Sequence, residues 1–431
     1  MSRHSHVWIP ISALLLSDAL LLIGHGLTLT LLPIAAVDAG FTNFQVAITG
    51  SAYFLGFVMG CIATPHVLKR VGHIRSFAVL ATLYSAVVLL FPWFEAFIAW
   101  SLLRFIVGLC IAGLYMIIES WLNERANAEN RGTVLSVYTM LNMLMITAGQ
   151  QLLNLGTISS YQLFTIAAIL VSLAIIPVSL TLSIAPAEVK SVKINLAMIW
   201  RHSNIGMIGA VISGLVTGAF WSLAPVYASA SGFDKLQLTL FMSAAVMGGA
   251  LFQVPLGRLS DKFDRRLVLS ATSVFGAVAS CAFVLVPGVV QMFEGYLVIA
   301  LSFFWGGAVM TQYAICLAHA NDDAEPEDFV TIGSGMLLTL GICSAIGAPV
   351  ASWLMHVMGP NGLFAFSAVS LIVFAVATIV RKRFHELDYE PEEAEPFRAV
   401  TEMATPVSLE LDPRMEHDDD HIHVEEEGIP K

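Results

Sequence analysis

Gly257-Arg258-Leu259-Ser260-Asp261-Lys262-Phe263-Asp264-Arg265-Arg266 is a short charged string set between two long apolar stretches. A membrane-spanning helix needs about 20 predominantly apolar residues, and the flanking stretches 236–257 and 267–286 meet that length. Glycine permits close helix approach, and Asp261 among four cations, Arg258, Lys262, Arg265 and Arg266, makes a charge cluster beside two helix ends. The string reads as a tight loop joining two membrane helices.

Working outward, the same alternation recurs along the chain. Charge-free stretches run over 39–68, 76–94, 132–187, 204–233, 267–293 and 329–380, several of them long enough for two helices and a turn. Cutting at Gly, Pro, Asn and Ser clusters predicts twelve helices, near 8–36, 44–65, 74–94, 97–122, 132–155, 161–185, 204–228, 236–257, 267–286, 293–318, 329–355 and 363–380. Of 431 residues, 57% are hydrophobic and 12% charged, with a mean hydropathy of +0.78. No water-soluble enzyme would carry that surface. Residues 384–431 hold 16 acids against 3 Lys and Arg, so the net charge of -11 belongs to the tail and the rest of the chain is nearly neutral. Cys61, Cys110, Cys281, Cys316 and Cys343 sit in apolar runs without paired spacing and read as packing residues.

With a cytoplasmic N-terminus, the inner loops and span flanks carry 16 Lys and Arg, whereas the outer loops carry Lys235 alone. That asymmetry predicts both termini inside. The first apolar run is too long for a signal-peptide core, so helix 1 is expected to be retained. Trp8, Trp93, Trp100, Trp121, Trp200 and Trp353 fall near span ends and are expected to be interfacial anchors.

Sliding residues 103–150 along the chain by 198 aligns Gly108 with Gly306, Tyr115 with Tyr313, Asn123 with Asn321, Ser136 with Ser334 and Gly149 with Gly347. This weak repeat agrees with a six-plus-six division: a bundle over 1–186, a cytoplasmic linker over 187–203, a second bundle over 204–383, and an acidic, disordered tail over 384–431.

The string at 257–266 resembles the signature loop of the major facilitator superfamily, Gly-x-Leu-x-Asp-Arg-x-Gly-Arg-Arg. The equivalent loop of the first half, PHVLKRVGHIRSF at 65–77, departs from it, because Lys69 stands where an aspartate is expected. Arg104, Gly108 and Ala112 are similar to the superfamily's Arg-xxx-Gly-xxx-Ala element. HVLKRVGHIRS, RFIVGLCIAGLYMIIES and NRGTVLSVYTMLNMLMITAGQQLL together resemble its bacterial YcaD-like branch, over nearly all of residues 8–383. The resemblance implies an all-α membrane protein of twelve transmembrane helices in two pseudo-symmetric six-helix bundles that rock about a central site. Helix 5 reads LMITAGQQLLN and lacks the Gly-Pro-xx-Gly-Gly element of drug/proton antiporters, so the resemblance does not extend to drug efflux.

Within the spans, away from their ends, Asp18, Arg104 and Glu119 are the formal charges. A charge at membrane depth costs on the order of 2.5–3.5 kcal/mol on insertion scales and needs a partner or a wet cavity. From predicted depths, Asp18 and Arg104 can face each other, either as a proton-coupling pair or as a permanent structural ion pair. His25, two turns from Asp18 on the same helix face, is a candidate proton relay, or a hydrogen-bonded packing residue. Glu119 lies close in depth to Lys69, Arg70, Arg131 and the loop of Gly257, Asp261, Arg265 and Arg266. The resemblance implies that these form a cytoplasmic latch between bundles; the alternative is a set of loop-solvating charges. Tyr53, Tyr115, Asn142, Gln150, Trp221, Trp305 and Gln312 are candidate substrate contacts, each equally readable as packing. Trp305 and Gln312 are seven apart and share a face. In the tail, His417, Asp418, Asp419, Asp420, His421 and His423 could bind a transition metal transiently, although a solvated acidic extension accounts for them as well.

No nucleophile-base-oxyanion set and no Walker loop is visible, and no cofactor or resident metal is expected. The expected function is secondary transport of a small molecule across the bacterial cytoplasmic (inner) membrane, with protons as a coupling ion, by a monomer that binds lipid and no nucleic acid. The competing class is a transporter-fold membrane sensor or scaffold signalling through its acidic tail.

Overall fold

The computed structural model describes residues 5–126, 131–158, 160–180, 196–285, 295–322, 324, 328–384, 397 and 404–411. Among them are twelve spans long and apolar enough to cross a membrane. In chain order the helices are α1 (Ser5–Asp38), α2 (Asn43–Val71), α3 (His73–Leu90), α4 (Phe97–Arg125), α5 (Arg131–Gln151), α6 (Tyr161–Leu173), α7 (Ile175–Ser179), α8 (Leu196–His202), α9 (Asn204–Ala230), α10 (Lys235–Lys262), α11 (Arg265–Leu285), α12 (Tyr296–Val309), α13 (Gln312–Asn321), α14 (Phe329–Met358) and α15 (Gly362–Phe384). Two expected helices are each delivered in two pieces: α6 with α7, and α12 with α13 broken at Met310–Thr311. With an even number of crossings, the start of α1 and the end of α15 share one side, called here the termini side; the other is the far side.

Each half is closed by its own packing. α4 packs on α2 and α5 on α1 in the first; α12 packs on α10 and α14 on α9 in the second. The repeat explains this equivalence. A Cβ added at Gly108 would overlap the Tyr53 carbonyl of α2, and one at Gly306 the Ala245 carbonyl of α10. Likewise Gly149 lies against the Ile23 carbonyl of α1 and Gly347 against the Leu215 carbonyl of α9. At these four positions only glycine lets the backbones touch.

A second correspondence runs at an offset of 192. Gly40-Phe41-Thr42 and Gly232-Phe233-Asp234 both turn on a positive-φ glycine, at 86° and 84°. Thr42 with Gln45 and Asp234 with Gln237 then form capping boxes that start α2 and α10.

The tryptophan belt is only partly as expected. Trp93, Trp200 and Trp353 are exposed, as anchors would be, but Trp100 and Trp121 are buried. Trp100 donates its indole N–H to the Phe94 carbonyl at 2.8 Å and packs edge-on against Phe41 and Phe91. Trp121 lies beside His73. The Trp8 side chain lies outside the described residues.

The expectation of a wholly disordered tail is corrected at residues 404–411. Pro406–Leu411 forms a 3-10 turn packed on α4, α5 and α14, with Ala404, Thr405, Val407, Ser408 and Leu409 buried. Its cause is local composition: Ala404-Thr405-Pro406-Val407-Ser408-Leu409 carries no charge, although acidic stretches surround it. The tail histidines 417, 421 and 423 lie outside the described residues.

Candidate functional site

Three charges expected at membrane depth are indeed buried, Asp18 and Glu119 at 0% exposure and Arg104 at 3%. Asp18 and Arg104, however, form no ion pair with each other. Counted inward from the far side, Asp18 is 20 residues from Asp38 and Arg104 is 7 residues from Phe97. At 1.5 Å per residue the two stand about 20 Å apart in depth. The expectation failed because it counted the two depths from opposite faces of a core about 30 Å thick, which helices of 34 and 29 residues overrun.

Arg104 joins an upper cluster instead. Its guanidinium lies 5.2 Å from the centroid of the Tyr53 ring, a cation–π arrangement. Tyr53 and Tyr84 approach the two ring nitrogens of His25, at 3.1 Å from Nε2 and 2.7 Å from Nδ1, and the Tyr84 hydroxyl is also 2.9 Å from Thr28 Oγ1. Thr28 sits one turn from His25 and donates to its carbonyl in addition. Arg104 Nε and Nη1 have no hydrogen-bond partner. His25 is thus tied to two tyrosines and not to Asp18.

The carboxylates form a lower cluster, closer to the termini side. With the Asn142 amide oriented from its partners, Nδ2 donates to Asp18 Oδ2 at 2.7 Å and to the Tyr138 carbonyl at 3.0 Å. Asp18 Oδ1 has no partner. Tyr138, one turn before Asn142 on α5, donates its hydroxyl to Glu119 Oε1 at 3.1 Å. Neighbouring residues of one helix therefore hold both carboxylates. Tyr115, also buried, lies within electrostatic range of Asp18 and Glu119 and of the upper tyrosines Tyr53 and Tyr84.

Among the described residues, Glu119 has Tyr138 and the tail residue Thr405 as hydrogen-bond partners. The second Glu119 oxygen accepts from the Thr405 backbone N–H at 3.2 Å and from the Thr405 hydroxyl. Lys69 and Arg70 are exposed at the end of α2, and the Arg131 side chain lies outside the described residues. In the signature loop, Arg265 bonds Asp261 at 3.2 Å and Asp322, beyond the end of α13, at 2.9 Å. Those pairs clamp helices of the second bundle together. Arg266 follows, its backbone N–H donating to Asp264 at 2.8 Å. Gly257, expected to admit a neighbouring helix, instead faces the Phe397 ring.

Other cavity candidates contact neighbouring helices. The Trp305 indole donates to Ser280 at 3.0 Å and to Ser367 at 3.2 Å, and Gln312 donates to Ser273 at 3.1 Å. Ser280 and Ser273 are themselves seven apart on α11, so the shared face of Trp305 and Gln312 is a helix seam. Gln312 Oε1 remains without a partner. Trp221 stands edge-on to Phe220. Gln150 accepts from Ser243 of α10 at 3.0 Å, across the bundles.

Sequence reasoning missed the rest of that crossing. Gln151 donates to Ser243 at 2.7 Å, Asn154 to Thr239 at 3.0 Å and Ser51 to the Ala345 carbonyl of α14 at 2.5 Å. Ser51, Gln151, Thr239 and Ser243 lie toward the far-side ends of α2, α5 and α10, Asn154 just beyond α5, and Ala345 near the middle of α14, so the bundles meet over the far half of the span. The available signal was a run of amides, Gln150, Gln151 and Asn154, at the end of an apolar helix. Among the described residues, no group of three His, Cys, Asp or Glu is placed to hold a metal ion.

Comparison with known proteins bears on the whole arrangement. The sequence profile described as Major Facilitator Superfamily matches residues 14–327 and 206–411. A protein of Escherichia coli O139:H28 named "Uncharacterized MFS-type transporter YcaD" is 27% identical over 361 residues, covering 83% of this chain and 92% of that one. Among solved structures, the nucleoside transporter NupG (D323A mutant) matches with a TM-score of 0.73 at 14% identity, over 86% of this chain and 99% of that one. A D-xylose-proton symporter matches with a TM-score of 0.65 at 13% identity, over 88% and 97%. At such identities the structural matches speak to the fold alone.

Proposed function

The chain belongs to the major facilitator superfamily, and from that premise we propose that it is a proton-coupled secondary transporter working by alternating access, with Asp18 as the coupling carboxylate. That it is a multi-pass membrane transporter of a small molecule, and not an enzyme, follows from the family. The mechanism is the proposal. The division into bundles is put at the connection 187–203, both termini in the cytoplasm of a bacterial inner membrane, and the working unit is one chain, since it contains both halves of the site.

One observation carries the coupling. Asp18 is fully buried, keeps one oxygen free of hydrogen bonds and has another carboxyl group, Glu119, as its ionisable neighbour, with no cation bonded to it. A structural ion pair would have supplied that cation. A carboxylate so placed is costly when charged and uncompensated, and rocking that opens it to water on one side and then the other would let it bind and release a proton. α5 links the parts: it holds Asp18 through Asn142 and Glu119 through Tyr138, and reaches α10 of the other bundle through Gln150 and Gln151. Its movement against α10 therefore changes the surroundings of both carboxylates. The D-xylose-proton symporter that shares the fold is a proton-linked precedent.

The test uses purified protein in liposomes enclosing a pH-sensitive dye, challenged with pools of metabolites and drugs. Wild type is expected to show compound-dependent proton flux and Asp18→Asn none, with the variant still exchanging the compound down its gradient. Flux in Asp18→Asn equal to wild type would remove Asp18 from coupling.

A further inference from the structure

The mouth between the bundles on the termini side is not empty. Residues 404–411 occupy it, touching α4 and α5 of the first bundle and α14 of the second. Three donor groups of Thr405 and Tyr138 converge on Glu119, two of them, a backbone N–H and a hydroxyl, from the tail residue. On the opposite wall, Leu409 fills the space over Gly333, where any Cβ would overlap its side chain. Phe397 does the same over Gly257 of α10, while its backbone N–H donates to Asp261 at 2.8 Å. Four anchors, two polar and two steric, thus join Phe397 and the 404–411 segment to both bundles.

We infer that Phe397 and residues 404–411 form an autoinhibitory plug, docked in the termini-side mouth and holding the carrier with its far side closed. The inference rests on the alternating-access reading above. In a rocking carrier, opening the far side requires the termini-side ends of the two bundles to come together. A segment seated between α4, α5, α10 and α14 is a wedge against that closure and bars the route to Asp18 from the same side. The seat is matched to this occupant: Glu119 accepts from Thr405, and glycines stand where Leu409 and Phe397 need room. Glu119 is thereby given a latch partner in the tail.

Hydrogen–deuterium exchange of the full chain in lipid nanodiscs tests this without any transported compound. Backbone amides of 404–411 are expected to exchange at least tenfold slower than their intrinsic rates, and to lose that protection in the Thr405→Ala/Leu409→Asp variant. In a chain ending at Phe384, exchange over 147–155 and 235–243 at the far-side seam should rise at least threefold. Unprotected amides at 404–411 would overturn the docking, and an unchanged far side after truncation would overturn the lock. Neither arm reads Asp18, so a failed flux assay leaves the plug standing, and unprotected tail amides leave the carrier standing.

Discussion

At the residue scale, the buried charges divide between two clusters with different chemistry. Tyr84 is the hub of the upper one, since its hydroxyl serves both His25 and Thr28. Tyr84→Phe leaves a buried imidazole nitrogen unpaired, a cost of about 1–3 kcal/mol. Its thermal midpoint in detergent should fall by several degrees, whereas an unchanged midpoint would mean that His25 finds another partner. The positions of Asp18, Arg104 and Glu119 were legible in the sequence, because a charge in an apolar run stands out. Their pairing was not. Pairing depends on helix rotation and depth, and a few residues of error at a helix end shifts depth by about 1.5 Å each. Glu119 was placed correctly near the termini side, but its partner Thr405 lies 286 residues away in a stretch hidden by the acidity around it. Scanning the tail for its uncharged interval at 404–409 would have found the segment, though not its seat.

At the element scale, helix pairs are fixed by glycine contacts that recur in both halves. Gly108 on α4 and Gly306 on α12 each meet a carbonyl of the helix beside them. Gly108→Val and Gly306→Val should each force the backbones apart and leave little monodisperse protein in fluorescence-detected size-exclusion chromatography after mild heating. Normal yield and midpoint from either would show that the pair can part at little cost. The sequence exposed this repeat at an offset of 198, since glycines are easily aligned. The equally informative match of Gly40-Phe41-Thr42 with Gly232-Phe233-Asp234 lies at 192, and sliding residues 103–150 alone could not find it. Loop lengths differ between the halves, so no single offset spans them. The break between α12 and α13 was also unseen, because hydropathy continues through Met310 and Thr311.

At the scale of the whole molecule, twelve spans were readable from apolar runs cut at turn residues, and two bundles from the repeat and the family resemblance, whereas the state of the assembly was not. That state comes from side chains that meet across the bundles: Gln151 with Ser243, Asn154 with Thr239, and Ser51 with the Ala345 carbonyl at the far side, against the tail segment at the other. The central claim is that the bundles rock as bodies and that the tail opposes the motion. Spin-label distance measurement tests it directly, on a background with Cys61, Cys110, Cys281, Cys316 and Cys343 replaced. One label pair sits at the exposed far-side positions Phe44 and Val357, and another at the exposed termini-side positions Arg70 and Lys262. In the full chain the far-side pair should give one short distance. In the chain ending at Phe384, a longer far-side population should appear together with a shorter termini-side one. Two distances that stay single and unchanged in both chains, at every pH sampled, would contradict a rocking carrier.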